Sequence, residues 1–246
     1  MLLNSLSDYV HRREAYNYSD PDVEFTITPT LTRTLACVGA FRGIFPRRVP
    51  PSHATSGVNL RRFERICQLV FEDCSSAMNG GHWCREHLCN LKEVVCAVVH
   101  WKMASQGGRS RLNVRNVLAK WSADTSKKLL HAYHRRELSL FCIGGVRIPT
   151  ASAFLRFLCP QEFGIIDSRV GAKVQAAGIT TLSIREDGYI NDTPTNRRKY
   201  HCEYVRFLRS EAMALSGAGG AFADVDENGM PIMSPFRPCD VEMALF

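Results

Sequence analysis

From residue 58 onward the spacing of apolar side chains takes the period of an α-helix, and this constrains the fold more than any other feature of the chain. Leu60, Phe63, Ile66, Cys67, Val70, Phe71 and Cys74 keep to one face, and Asn79-Gly80-Gly81 ends the pattern. A second helical period covers about 85–103. Leu88, Leu91, Val95 and Val98 are in register there, and further apolar positions at Val94 and Trp101 predict burial on two sides. Gly107-Gly108 separates this helix from a short one carrying Val114, Val117, Leu118 and Trp121. Asp124 is the expected cap of the next, which runs to about Phe141. Further on, Tyr200, Tyr204, Phe207, Leu208 and Leu215 mark a long helix with a basic face that includes Arg197, Arg198, Lys199, Arg206 and Arg209.

The segments outside this region carry different signals. Val23-Glu-Phe-Thr-Ile-Thr28 alternates like a short strand, but Pro21, Pro29, Pro46, Pro50 and Pro51 break up its surroundings. The expected organisation is an all-α helical domain over 57–216, preceded by a mostly irregular N-terminal extension, 1–56. A flexible linker and C-terminal tail, 217–246, follow. Ser216-Gly-Ala-Gly-Gly220 is the expected break, and Asp240–Phe246 a helical turn that folds back.

Lys and Arg outnumber Asp and Glu by 31 to 24, a net charge of +7 delivered partly as arginine pairs. Such a field attracts nucleic acid, an anionic membrane or an acidic protein. The first residues lack the apolar run of about seven residues that a signal peptide needs, and the longest aliphatic stretch, Val94–Val99, is too short to span a bilayer. The expectation is a soluble intracellular protein. Its ten cysteines, with Cys67, Cys74 and Cys96 on apolar faces, read as reduced thiols.

The chemistry concentrates in two linked segments. In Leu140–Cys159 a helix ends near Phe141, Gly144 and Gly145 permit a tight turn, and Pro149 suits the first turn of a new helix continued by Ala151, Ala153 and Phe154. The turn's backbone N–H groups and the new helix start form a place for a phosphate oxygen. The second segment, Phe163-Gly-Ile-Ile-Asp-Ser-Arg-Val170, sets Asp167 before another helix, where it reads equally as a helix cap or as a catalytic carboxylate.

Ile143-Gly-Gly-Val-Arg-Ile-Pro-Thr-Ala151 resembles, without a gap, the hairpin of the endonuclease III-like (HhH-GPD) superfamily of DNA glycosylases, which reads Leu-Pro-Gly-Val-Gly followed by two residues and Thr-Ala. Ile166-Asp167-Ser168-Arg169-Val170 falls where that superfamily carries its aspartate. The resemblance implies a helical bundle of the HhH-GPD type. It implies that Gly144, Gly145, Val146, Arg147 and Thr150 hold a DNA phosphate, with Arg169 adding a contact, and that Asp167 supports hydrolysis of a base–sugar bond. The implied partner is duplex DNA, damaged or distorted.

Two departures qualify the chemistry. Pro149 stands where bifunctional members have a Schiff-base lysine, which points to monofunctional hydrolysis, and Arg147 replaces the hairpin's second glycine. No iron–sulfur motif follows. Three readings stay open at this point: a monofunctional glycosylase, a non-catalytic helix-hairpin-helix DNA-binding module, and a helical adaptor whose basic surface meets an acidic protein.

His82, Cys84, His87 and Cys89 lack the two paired ligand sets of a zinc finger or ribbon and read as a helix start. Asp224-Val-Asp-Glu-Asn-Gly229 copies half a calcium loop, but Pro235 stands where the bidentate Glu belongs, so a turn is expected. Neither a metal nor a cofactor is expected.

Overall fold

The apolar period that opens at residue 58 forms helix α2, Gly57–Asn79, which buries Phe63, Ile66, Cys67, Val70, Phe71, Cys74 and Ala77 along one face. The computed structural model describes residues 5–15, 57–103, 115–143, 146–186, 189–226 and 230–245. The expected strand at 23–28, Gly107-Gly108 and Val114 lie outside them. The described residues divide into two compact units, one holding the elements up to Val146 from α2 on, the other holding α1, Leu6–Ala15, together with the chain from Arg147. The protein is mostly helical, and no described helix is long and apolar enough to cross a membrane.

In the unit that ends at Val146, α2 stops where predicted. Gly81 takes φ +71°, and the N–H groups of His82 and Gly81 reach back to the carbonyls of Ala77 and Met78, a closure that favours glycine at the left-handed position. Helix α3, Arg85–Met103, buries Leu91, Val94, Val95, Val98 and Val99 in one wide stripe, while Leu88 and Trp101 are half-buried, so the predicted second buried side is not a separate one. It packs against α2, and both touch α4, Ala123–Arg135.

Two local expectations fail here. Ser122, not Asp124, caps α4, its hydroxyl accepting from the Thr125 N–H at 3.1 Å, and Asp124 falls in the first turn. The helix also ends before Phe141, because Arg136 turns into the left-handed region at φ 56°. A short 3-10 turn, Leu138–Phe141, then buries its two end residues.

The other unit is built around α5, Ile148–Leu158, in which every residue but Pro149 is buried. A helix buried on all sides is a core element, and its sequence is apolar all round apart from Thr150, Ser152 and Arg156. Arg156 lies over the Phe157 ring, 4.6 Å from its centroid, and points one guanidinium nitrogen at the Met243 sulfur, 3.8 Å away. Helix α6 is Ser168–Ala176. The predicted long helix is present in three joined parts: α7, Pro194–Lys199, a π-helical turn, Tyr200–Val205, and α8, Arg206–Gly217.

Within 217–246, expected as a flexible linker and a tail ending in a helical turn, the described residues form two strands and the expected terminal helix. Antiparallel strands β1, Ala221–Val225, and β2, Pro231–Pro235, pair in the register Ala221↔Pro235, and α9, Pro238–Ala244, is buried throughout. Three features account for this. The Phe222 and Phe236 rings lie 5.0 Å apart. Asp240 accepts from Arg13 Nε at 2.9 Å and from Arg237 Nε at 2.7 Å. The Arg13 guanidinium lies over Phe222, 4.5 Å from the ring centroid. Helix α1 thereby packs on α9 and β1, so part of the expected N-terminal extension belongs to this unit. The calcium-loop lookalike joins the two strands, with Asp226 Oδ1 accepting from the Met230 N–H at 2.8 Å; residues 227–229 lie outside the described set.

Candidate functional site

Gly144 and Gly145 lie outside the described residues, but the residues on either side of them are described. The Val146 N–H donates to the Ile143 carbonyl at 2.7 Å, and Val146 is buried. Arg147 is exposed in an extended conformation at the N-cap of α5, and no side chain caps that helix start. Its carbonyl accepts from the N–H groups of Thr150 at 3.0 Å and Ala151 at 2.8 Å. The Thr150 side chain is buried, so of the described hairpin residues Arg147 has the accessible side chain suited to a phosphate, and Thr150 belongs to the packing beneath it.

Asp167 stands at the N-cap of α6. Its backbone is extended, and Oδ1 accepts from the N–H groups of Arg169 at 3.0 Å and Val170 at 3.1 Å. The capping reading is therefore correct. An aspartate in this role satisfies two of the donors that a helix start leaves open, and its charge is favoured by the helix dipole. The side chain remains partly accessible, and Arg169 beside it is exposed.

The segment that delivers Asp167 is fixed from several directions. Phe163, Gly164, Ile165 and Ile166 are buried; the Phe163 N–H closes on the Cys159 carbonyl at 3.1 Å, and the peptide groups beyond it run without helical bonds and need other partners. The Tyr200 hydroxyl donates to the Gly164 carbonyl at 2.9 Å and the Tyr204 hydroxyl to the Ile165 carbonyl at 2.7 Å. From α5, Ser152 Oγ accepts from the Ile166 N–H at 3.1 Å. Gly164 is required by space, since a Cβ there would meet Leu208 Cδ1 at 2.6 Å and Glu242 Cβ at 2.8 Å.

The electrostatics agree with the hydrogen bonds. Burial, with the nearby Glu242 carboxyl, holds both tyrosine hydroxyls well above their ordinary value, so they stay protonated donors. Asp167 contributes to this shift at Tyr204.

Sequence reasoning placed Tyr200 and Tyr204 in a helix but missed their role and that of Ser152. The signal lay in pairing the four-residue spacing of the tyrosines with an apolar segment that has no helical period. The π-helical turn, which holds both tyrosines, left no trace in the apolar spacing.

The remaining charged residues divide. Arg197 pairs with Asp192 at 2.8 Å, Arg209 pairs with Glu162 at 2.8 Å, and Lys199 reaches the Thr181 carbonyl, while Arg198 and Arg206 are exposed. Lys173 Nζ donates to the Leu245 carbonyl at 2.5 Å, which ties α6 to the end of α9. Around His82, Cys84, His87 and Cys89 no set of three ligating side chains suited to a metal ion occurs among the described residues. Compared with known proteins, the chain matches no family profile, no curated protein and no solved structure.

Proposed function

We propose that the chain is a DNA-binding helix-hairpin-helix protein of the endonuclease III-like type that hydrolyses a base–sugar bond with Asp167. The observation that carries this reading is the way Asp167 is held. A partly accessible carboxylate stands at a helix start, at the end of a buried segment whose peptide groups are bonded by Tyr200, Tyr204 and Ser152. A rigid mount of this kind suits electrostatic catalysis, in which a fixed charge meets a charge that develops only in the transition state.

Cleaving an N-glycosidic bond leaves positive charge on the sugar. A carboxylate facing a nucleotide turned out of the stack stabilises that charge and orients the attacking water. The phosphate contact falls to the start of α5, where no side chain caps the helix and Arg147 is exposed, with Arg169 at the start of α6 as a second cation. Pro149 in the first turn of α5 supplies no amine, so the chemistry is hydrolysis without a covalent lysine.

The test is the affinity of wild type and of Asp167→Asn for a duplex carrying a cationic abasic-site analogue and for the same intact duplex, over a salt series. The analogue imitates the charged sugar. The expected result is a preference of about 100-fold or more that Asp167→Asn removes. Salt-dependent binding without the preference overturns the catalytic half of the proposal and leaves a DNA-binding module. Absence of binding to either duplex at low salt overturns the nucleic-acid reading in favour of an acidic protein partner.

A further inference from the structure

Away from Asp167, the turn from α2 into α3 brings three reactive side chains together within the other unit. Cys84 immediately precedes the first residue of α3, and its thiol is exposed. Its sulfur lies 3.0 Å from Nδ1 of His87, while Nε2 of the same ring lies 3.6 Å from Oδ2 of Asp73. The Cys84 N–H also donates to Nδ1, at 3.2 Å. In the neutral ring, Nδ1 is therefore the acceptor and Nε2 carries the hydrogen that faces Asp73, which is the tautomer able to take a proton from the thiol. Trp83 stacks on the imidazole with centroids 5.6 Å apart and planes 22° apart, and so steadies the ring. A nucleophile, a base within hydrogen-bond reach and a third group orienting the base together form the signature of an activated thiol.

We propose that Cys84 is a nucleophilic thiol, with His87 as its base and Asp73 as a positioning residue, that adds to α,β-unsaturated carbonyl compounds. The sulfur is soft, and the flat Trp83–His87 stack beside it suits a planar conjugated substrate. In the reaction His87 Nδ1 takes the thiol proton and the sulfur electron pair forms a bond to the β-carbon. The C=C π pair moves into an enolate, and the imidazolium returns the proton to the α-carbon. Nothing leaves and no oxidation state is exchanged with a third species.

Other thiols of the chain supply the contrast. Burial pushes Cys74 and Cys96 up to about 12, and Cys74 donates to the His87 carbonyl at 3.4 Å. Cys202, in the π-helical turn, is exposed like Cys84 and serves as the reference.

The experiment treats the full chain with limiting N-ethylmaleimide at neutral pH and follows each cysteine peptide by mass spectrometry. Cys84 is expected to react about tenfold or more faster than Cys202. His87→Gln should lower Cys84 to the Cys202 rate, Asp73→Asn should lower it part-way, and Asp73→Glu should restore it. Continued protection of Cys67 and Cys74, buried in the same unit as Cys84, reports an intact fold in each variant. A wild-type Cys84 no faster than Cys202 overturns the proposal without recourse to any variant, and so does a rate that His87→Gln leaves intact. An unsaturated aldehyde must give the same order of reactivity; reaction with maleimide alone overturns the substrate class.

Discussion

The Tyr204 hydroxyl donates to the Ile165 carbonyl at 2.7 Å, and this buried bond fixes the backbone two residues before Asp167. Tyr204→Phe keeps the ring and deletes the donor, leaving a buried carbonyl without this bond. The expected cost is about 1–2 kcal/mol of unfolding free energy, measured by urea denaturation. Tyr200→Phe, which removes the bond to Gly164, should cost a similar amount. If neither variant loses stability, the segment is not held by these bonds.

Asp167 can be divided into its structural and its charged part. Asparagine caps a helix about as well as aspartate, whereas alanine does not, so Asp167→Ala should lose about 1 kcal/mol and Asp167→Asn much less. Thermal unfolding of the pair checks this. A large loss in the asparagine variant would mean that the charge itself, rather than the cap, holds the start of α6.

Asp240 is wholly buried between two arginines, with Arg13 and Arg237 each within hydrogen-bond distance of its carboxylate. Asp240→Ala leaves two buried guanidinium groups without this partner, and breaking a buried pair in this way costs about 3 kcal/mol or more. Chemical denaturation of the variant should show that loss, or the protein should fail to fold. A loss near zero would mean that water reaches the arginines.

Glu203 gives a pH-dependent contribution of known sign. The Thr181 N–H holds its carboxyl below the ordinary value of 4.5, partial burial opposes this, and the Thr180 hydroxyl and Lys199 reinforce it. A depressed acid contributes stability that is present above its unfolded-state value and is lost as pH falls through the folded-state value. The loss therefore begins just below 4.5 and is modest, because the group is largely exposed. Unfolding midpoints across the acid range should show Glu203→Gln lacking this component, and parallel curves for the two proteins would exclude it.

The helices of the chain were legible wherever one apolar face repeats. α2 and α3 follow their predicted bounds because Phe63, Val70, Leu91 and Val95 pack at the helical period, and Asn79-Gly80-Gly81 ends α2 through a glycine that only a left-handed turn requires. Legibility failed where partners are distant in sequence. The terminal helical turn was readable and α9 bears it out, but the glycine-rich stretch before it hid the β1–β2 pair, and Asp240 finds Arg13 across 227 positions, which no local pattern encodes. At the site, the cap at Asp167 was readable from its place before a helix. Ser152 and the two tyrosines were not, because each bonds a peptide group from another part of the chain and leaves the apolar spacing intact.

The pairing of Arg13 with Asp240 also bears on how the protein is made. A ribosome delivers the arginine first and the aspartate 227 residues later, an interval on the order of ten to forty seconds at ordinary elongation rates. Throughout that time α1 lacks its partner helix, and the whole of the unit containing α2, α3 and α4 is synthesised before α9 is reached. The order of synthesis thus favours completing the intervening unit first, and places the closure around α9 among the last events of biogenesis.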